Sequence, residues 1–378
     1  MRYYLSDRCA LKWLETPSLY DIKNDELYEL DNEAFEFLRK CASPEGCGSE
    51  NGDEGFIAYC IKEGMLDTSP VHAQRPPLIK APEPSLRYLE LQITDKCNLK
   101  CRHCYIGKPQ NNELFVNEIK DILDEFGEMQ GLRLLITGGE PLTHSRFAEI
   151  NELLPAYAFR KILFTNGLLL NKDSLKNLNV EEIQFSVDGM ERGHEALRGK
   201  GTYKAAMQKI KDALNIGIPV SIATMVHKEN IEEFEEMDSF FKGLGIKDWT
   251  VDAPCMSGYL KDNSILLVDP TIAGKYLNYG FGGGLHGGGE GFACGLHLMS
   301  VLANGDICKC AFYSQAPAGN IGDGLRKAWA AIRPIRLDEL ECFDTACAFI
   351  AECRGGCRYR AEGGYKKDIY KCYSYDII

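Results

Sequence analysis

The chain has no apolar run near the roughly 20 residues that a membrane-crossing helix needs, and its opening stretch, MRYYLSDRCA, lacks the apolar core of an export signal. A membrane-spanning or exported protein is therefore not expected, and the sequence reads as cytoplasmic. A basic excess is missing as well: 43 Lys and Arg stand against 55 Asp and Glu among 378 residues, a net charge of −12. Nucleic acid and anionic membrane surfaces are poor partners for such a chain. Cysteine is what it has in plenty. Sixteen cysteines in a large chain without an export signal, several in close spacings, point to metal ligation rather than disulfides.

Residues 1–67 read as a small separate domain. Residues 20–23, the turn residues Asn24 and Asp25, and residues 26–30 predict a β-hairpin. Asp31 or Asn32 then caps a helix carrying Ala34, Phe35, Phe37 and Leu38, and a second helix spans 53–62 with Gly64 closing it. A hairpin followed by helices is a winged-helix outline. The seven basic and fifteen acidic residues of this stretch, net −8, argue against DNA as its ligand. Cys9, Cys41, Cys47 and Cys60 have no ligand spacing and read as ordinary thiols. Residues 68–84 hold five prolines and form a linker, expected to be extended. From 85 to 285, strand patterns at 86–94, 132–137, 161–165, 182–187, 220–225 and 248–252 alternate with helix-length spans, the first a helix over 112–129. Six such strands with right-handed crossovers make a parallel α/β sheet, either open or closed into part of a barrel.

The densest chemical signal is CNLKCRHCY at 97–105, on the loop leaving the C-terminal end of the first of these strands. In a βα barrel that end carries the chemistry. Cys97, Cys101 and Cys104, with three and then two residues between them, supply three thiolates. A four-iron cube held by three thiolates keeps one iron open for a chelating small molecule. The alternative is a structural zinc, for which His103 is the only fourth ligand within the loop. Gly138-Gly139-Glu140-Pro141 follows the second strand, with two glycines for close backbone approach and a carboxylate acceptor. Asn166 beside Gly167, Ser186 and Asp188 beside Gly189, and Arg198 beside Gly199 mark later strand ends. Turn chemistry explains the Asn and Asp as well as ligand contact does. Residues 280–291 include eight glycines, either a flexible linker or a stretch along which substrate backbone passes. Residues 286–378 carry Cys294, Cys308, Cys310, Cys342, Cys347, Cys353, Cys357 and Cys372.

The cysteine loop, with its aromatic Tyr105, resembles that of the radical S-adenosylmethionine (SAM) enzymes, and GGEP one strand later strengthens the likeness. The C-terminal cysteines resemble the SPASM domain, which holds two auxiliary iron–sulfur clusters in many peptide maturases. These resemblances imply a partial (β/α)6 TIM-like barrel between a winged-helix-like N-terminal domain and a cysteine-rich C-terminal one. They imply a 4Fe-4S cluster on Cys97, Cys101 and Cys104 whose open iron binds SAM. SAM contacts then fall to Gly138, Gly139 and Glu140 for its amino group, Ser186 and Arg198 for carboxylate and ribose, Tyr105 for adenine, and Asn166. A first auxiliary cluster takes Cys294, Cys310 and Cys357, completed by Cys308 or left with one free iron. A second takes Cys347, Cys353, Cys372 and either Asp344, which keeps the family's two-residue spacing to Cys347, or Cys342. The implied activity is reductive SAM cleavage to a 5′-deoxyadenosyl radical that modifies a ribosomal precursor peptide, by thioether or carbon–carbon crosslinking. The N-terminal domain resembles a leader-recognition module, and the electron donor is expected to be a flavodoxin or ferredoxin in a reducing, anaerobic cell. Two rival readings are a sulfatase-activating enzyme that oxidises one residue of a folded protein, and an electron-transfer protein, which leaves GGEP unexplained.

Overall fold

A computed structural model describes residues 1–71, 75–284 and 289–377. The N-terminal domain opens with β1 (Arg2–Leu5), β2 (Cys9–Trp13), β3 (Pro17–Asp21) and β4 (Glu26–Glu29). Strands β2, β3 and β4 form an antiparallel meander. Its expected hairpin turns where the Asp21 carboxylate accepts from the backbone of Lys23 and Asn24 and Asp25 adopts φ +66°. Asp31 caps α1 (Asn32–Cys41) by accepting from the Ala34 amide at 2.8 Å, and the helix buries Phe35, Phe37, Leu38 and Cys41. Then come β5 (Cys47–Gly48), α2 (Glu54–Lys62), capped by Asp53, and β6 (Leu66–Asp67). A second small sheet, β5-β1-β6, completes the domain. Strands β1 and β2 add to the hairpin expected from sequence.

The proline-rich stretch has no helix or strand among its described residues, but it is not a free spacer. The Arg75 guanidinium donates to the carbonyls of Leu5, Ser6 and Cys9 at 2.7, 3.0 and 2.8 Å and ties the linker to the domain before it.

The barrel follows as β7 (Tyr88–Gln92), α3 (Val116–Glu128), β8 (Arg133–Thr137), α4 (Phe147–Leu153), β9 (Arg160–Thr165) and α5 (Lys172–Lys176). It continues with β10 (Glu182–Ser186), α6 (Glu191–Arg198), α7 (Thr202–Asn215), β11 (Val220–Met225), α8 (Phe234–Leu244) and β12 (Asp248–Asp252). Strands β7 to β12 pair in parallel in chain order, the six-strand partial barrel. Helix α3 starts later than its pattern suggests. Glu113 bridges back to Thr94, and the Glu118 carboxylate accepts from the Phe115 amide at 2.7 Å, so the first turn forms only there. Leucine, isoleucine and phenylalanine from both helices and strands fill the core, each contributing about 1.5–3 kcal/mol on full burial.

The C-terminal part is not a separate layer. After α9 (Pro270–Tyr276), β13 (Leu298–Val301) pairs in parallel with β7, and β14 (Asp306–Cys308) and β15 (Gly319–Asn320) extend the sheet to nine strands. Helices α10 (Leu325–Ala331), α11 (Glu341–Asp344), α12 (Ile350–Cys353) and α13 (Ile369–Ser374) complete the chain. The glycine-rich stretch lies partly outside the described residues.

At the N-terminal ends of the barrel strands the first domain is locked on by charge. Lys12 donates to the Gly131 and Ala158 carbonyls at 2.7 and 2.9 Å, and Asp25 of the hairpin turn pairs with Arg133 at 2.7 Å. The fully buried Arg160 donates to the Ile22 and Lys23 carbonyls and pairs with Glu182, which Lys247 also meets. That rim is closed, so the opposite one is left for chemistry.

Candidate functional site

The loop with Cys97, Cys101 and Cys104 leaves β7 at its C-terminal end and is held from several sides. The Asp95 carboxylate accepts from the amides of Gln110 and Asn112, closing the loop's base. The amides of Gly139 and Glu140 donate to the Thr94 and Lys96 carbonyls at 2.9 and 2.8 Å. That approach needs glycine. A Cβ on Gly138 would lie 2.4 Å from the Thr94 oxygen, and one on Gly139 2.4 Å from that of Lys96. The two glycines thus seat the GGEP loop on the start of the cysteine loop. Tyr259 donates to the Cys104 carbonyl and Arg102 to that of Leu197, which fixes the loop's far side.

Glu140 is fully buried, and its carboxylate accepts from the Thr165 hydroxyl and the Asn166 amide, both at 2.8 Å, and from Leu142. Burial pushes its pKa up to about 6 against those hydrogen bonds. Instead of standing open, this carboxylate ties the end of β8 to the end of β9. Asn166 passes the tie onward, donating from its side-chain amide to Asn98 in the cysteine loop at 2.8 Å.

Arg198, at the end of α6, pairs with Asp188 at 2.5 Å and reaches the Cys101 sulfur at 3.7 Å. Asp188 is a buried anchor rather than a turn residue. It also accepts from the Met225 amide, and its own carbonyl accepts from Asn230 and meets His227. Against its burial, the Arg198 guanidinium holds the Asp188 carboxyl well below its ordinary range. His103 turns toward Asp188 at 3.7 Å, and burial pushes it down to about 4. Ser186 ends β10, half-buried, and no hydrogen bond of its hydroxyl occurs among the described residues. The Tyr105 ring packs on Phe312 of the C-terminal part at 4.9 Å, and its hydroxyl accepts from Gln92.

Burial raises the Cys97 thiol to about 11 and also raises Cys101, which Arg198 counteracts. Among the described residues no three His, Cys, Asp or Glu converge as a single ion requires. Donors to one zinc stand about 2.3 Å from a common point, whereas a four-iron cube takes each thiolate on a different iron and spreads them. Three cysteines on one buttressed loop, with a guanidinium beside one sulfur, fit the second donor chemistry.

Toward the chain's end the thiols fall into two groups. Burial raises the thiols of Cys294 and Cys310, and Cys357 adds to the rise of both, with Glu90 and Cys294 also acting on Cys310. In the other group Cys342 lies near all three partners: Cys347 acts on it, and it acts on Cys353 and Cys372. Asp344 is exposed and outside this group, contrary to the spacing argument. The two residues sit on the single helical turn α11, and at about 100° per residue a two-residue step turns a side chain to the opposite face. Cys308 departs as well. It is fully buried with Leu302, Ala311, Tyr105 and Tyr313, because β14 ends at Cys308 and the same-side rule does not extend to Cys310. Sequence reasoning missed Asp95, Asn98 and His227, which serve this rim through long-range hydrogen bonds that no spacing announces.

Residues 91–241 match the model of the radical SAM superfamily. The mycofactocin maturase MftC of Mycolicibacterium smegmatis is 27% identical over 302 residues, 71% of this chain and 77% of that protein. Several other relatives are matched over about half their length or less. The structure of Streptococcus suis SuiB bound to precursor peptide SuiA superposes with a TM-score of 0.68 at 17% identity, covering 98% of this chain and 100% of that one. The structure of anSMEcpe with bound AdoMet and a peptide gives 0.60 at 18% identity, covering 77% of this chain and 94% of the other. No described helix is long and apolar enough to cross a membrane.

Proposed function

On the premise that residues 91–241 form a radical SAM domain, we propose that the chain is a peptide maturase that binds SAM on a 4Fe-4S cluster and modifies a ribosomal precursor peptide. The observation that carries it is the cysteine loop itself, three thiols fixed at the C-terminal rim of the barrel beside GGEP. When bound, cluster and SAM together supply a 5′-deoxyadenosyl radical, which removes an unactivated hydrogen. The protein's work is to bind, orient and exclude water. Cys97, Cys101 and Cys104 hold the cluster, and the Arg198 guanidinium offsets its negative charge. Arg198 and the Ser186 hydroxyl meet SAM's carboxylate and ribose, backbone of Gly138 and Gly139 its amino group, and Tyr105 its adenine. Glu140 and Asn166 act chiefly by holding that rim together. The C-terminal cysteines hold two auxiliary clusters, the second on Cys342, Cys347, Cys353 and Cys372. Such clusters can accept the electron left on the substrate, which suits a net oxidation such as a thioether or carbon–carbon crosslink. A flavodoxin or ferredoxin in the cytoplasm supplies the reducing electron.

Strand β4 pairs only with β3 among the described strands, and its free edge suits a leader peptide added as a further strand. The net charge of −8 over residues 1–67 favours a basic leader. The turn of that hairpin docks at the N-terminal rim, opposite the thiols. Barrel strands of five or six residues, rising about 3.3 Å per residue, separate the two rims by about 17–20 Å. At least about six extended residues must therefore link the bound leader to the modified residue.

The sulfatase-activating reading is less favoured. The SuiB likeness extends over 98% of the chain, N-terminal domain included, whereas that to anSMEcpe covers 77%. Deleting residues 1–67 should leave SAM cleavage in the absence of peptide intact and slow modification of the full precursor at least about tenfold. Equal rates with and without the domain would remove the leader-binding role.

A further inference from the structure

Arg358 follows Cys357 directly, and only 1% of it is exposed. Other enclosed arginines have a carboxylate: Arg160, as deeply buried, meets Glu182 at 2.7 Å, and the nearly buried Arg198 and Arg360 meet Asp188 and Asp368 at 2.5 and 2.9 Å. Arg358 pairs with no carboxylate among the described residues. Its guanidinium finds carbonyls instead, Nη1 donating to Gly364 and Lys366 at 3.2 and 3.0 Å and Nε to Gly356 at 3.4 Å. Its Nη2 is buried with no hydrogen-bond partner among the described residues. Carbonyl dipoles solvate such a charge without neutralising it, and a buried cation with no counter-charge is costly. An anion belongs beside it.

The place of the guanidinium says which. It folds back over the turn from Cys353, the last residue of α12, to Cys357, and this turn gives one cysteine to each of the two C-terminal groups. Gly355 and Gly356 in that turn lie in the left-handed region, at φ +75° and +69°. A Cβ on Gly355 would stand 2.6 Å from the Leu340 side chain and 2.9 Å from Nη2 of Arg358, so the bare backbone is what lets the cation in. Leu340 packs with Ala293, the neighbour of Cys294 in the first group, and with Cys342 and Cys347 of the second. The charge therefore stands where the two groups adjoin. Its unpartnered N–H is a donor of the kind that cluster sulfur accepts.

We propose that Arg358 is a cation shared by the two auxiliary iron–sulfur clusters, raising the reduction potential of both. This rests on the reading that the C-terminal cysteines hold two such clusters. Reduction adds a negative charge to a cluster, and a fixed positive charge in a low-dielectric site favours the reduced form. Arg358 thus makes both clusters better electron acceptors, and neither group of cysteines has the cation to itself.

The test uses the full chain carrying Cys97→Ala, Cys101→Ala and Cys104→Ala, so that only auxiliary clusters contribute iron. Into it go Arg358→Met, Arg358→Gln and Arg358→Lys separately, each reconstituted, assayed for iron and sulfide, and titrated against redox potential by electron paramagnetic resonance. Cys294→Ala and Cys342→Ala, each removing one cluster, assign the two signals. Met and Gln should keep the parental iron and move both potentials to more negative values, while Lys, which keeps the charge, stays nearer the parent. Should the Met variant misfold, the comparison of Gln, which keeps a donor for the carbonyls, with Lys decides the matter alone. Parental potentials in Gln, a shift of one cluster only, or equal shifts in Gln and Lys would overturn the proposal. So would loss of iron from all three variants, which would make Arg358 a folding residue. A parent chain without auxiliary iron would instead remove the underlying reading.

Discussion

Cys41, Cys47 and Cys60 gather in the core of the N-terminal domain, and Cys342, Cys347, Cys353 and Cys372 gather near the end of the chain. In both places burial comes first and neighbouring thiols add to it: burial, then Cys47 and Cys60, raise Cys41 to about 12, as burial, then Cys342 and Cys353, raise Cys372 to about 11. Their surroundings differ. The first group sits among Phe37, Leu38, Ile57 and Leu66, and burial is the sole cause that raises Cys60. The second has cations at hand, Arg358 and Lys367 beside Cys342 and Lys371 beside Cys353. The same holds at the barrel rim, where Arg198 meets Cys101. A cluster bound by three or four thiolates is an anion in a low-dielectric site and needs such charges. On the function proposed above, the cations are what separate the cluster-binding thiols from the group of thiols packed in the N-terminal core.

The largest effect should come from exchanging the two rival ligands of the second group. Cys342→Ala should lose the iron and sulfide of one cluster, while Asp344→Ala keeps both and leaves the redox titration unchanged. The reverse result would return the ligand role to the carboxylate. Arg198→Met comes next. Removing one partner of the buried pair with Asp188 should cost about 3–5 kcal/mol, read from denaturant unfolding of the apoprotein, whereas a solvent-exposed pair would cost under about 1 kcal/mol. Iron per chain at reconstitution should fall as well, since Cys101 loses its cation.

Smaller effects belong to the thiols of the N-terminal domain. Cys60→Ala should lower stability by about 1–2 kcal/mol through lost packing and leave iron content untouched. Any loss of iron would break the distinction drawn above. The Cys9 thiol, raised from 9.0 to about 12 by burial, should alkylate about a thousandfold more slowly near pH 8 than an ordinary thiol, before accessibility slows it further. Its rate should climb with pH to about 12 instead of levelling near 9, because the shift keeps it protonated across that window.

Much of this was legible in the chain. Strands β11 and β12 coincide with their patterned runs, since alternation and flanking turns are local signals. The cysteine loop and GGEP are local signals too, and the folded chain sets them side by side at one rim. What sequence did not disclose depends on contacts between distant segments. Strand β13 beside β7 joins residues about 210 positions apart. Spacing favours Asp344 over Cys342, whereas the helical turn α11 leaves Asp344 exposed and buries Cys342, an arrangement that depends on folded packing and not on spacing.

The central claim is that Cys97, Cys101 and Cys104 hold a cluster that cleaves SAM. The most direct measurement is 5′-deoxyadenosine formed from SAM under anaerobic strong reductant, by the reconstituted chain and by its Cys97→Ala, Cys101→Ala, Cys104→Ala variant. The account predicts steady formation by the first and none above background by the second, whose C-terminal cysteines still retain iron. Formation of 5′-deoxyadenosine by the triple variant, or its absence from the reconstituted wild-type chain, would contradict it.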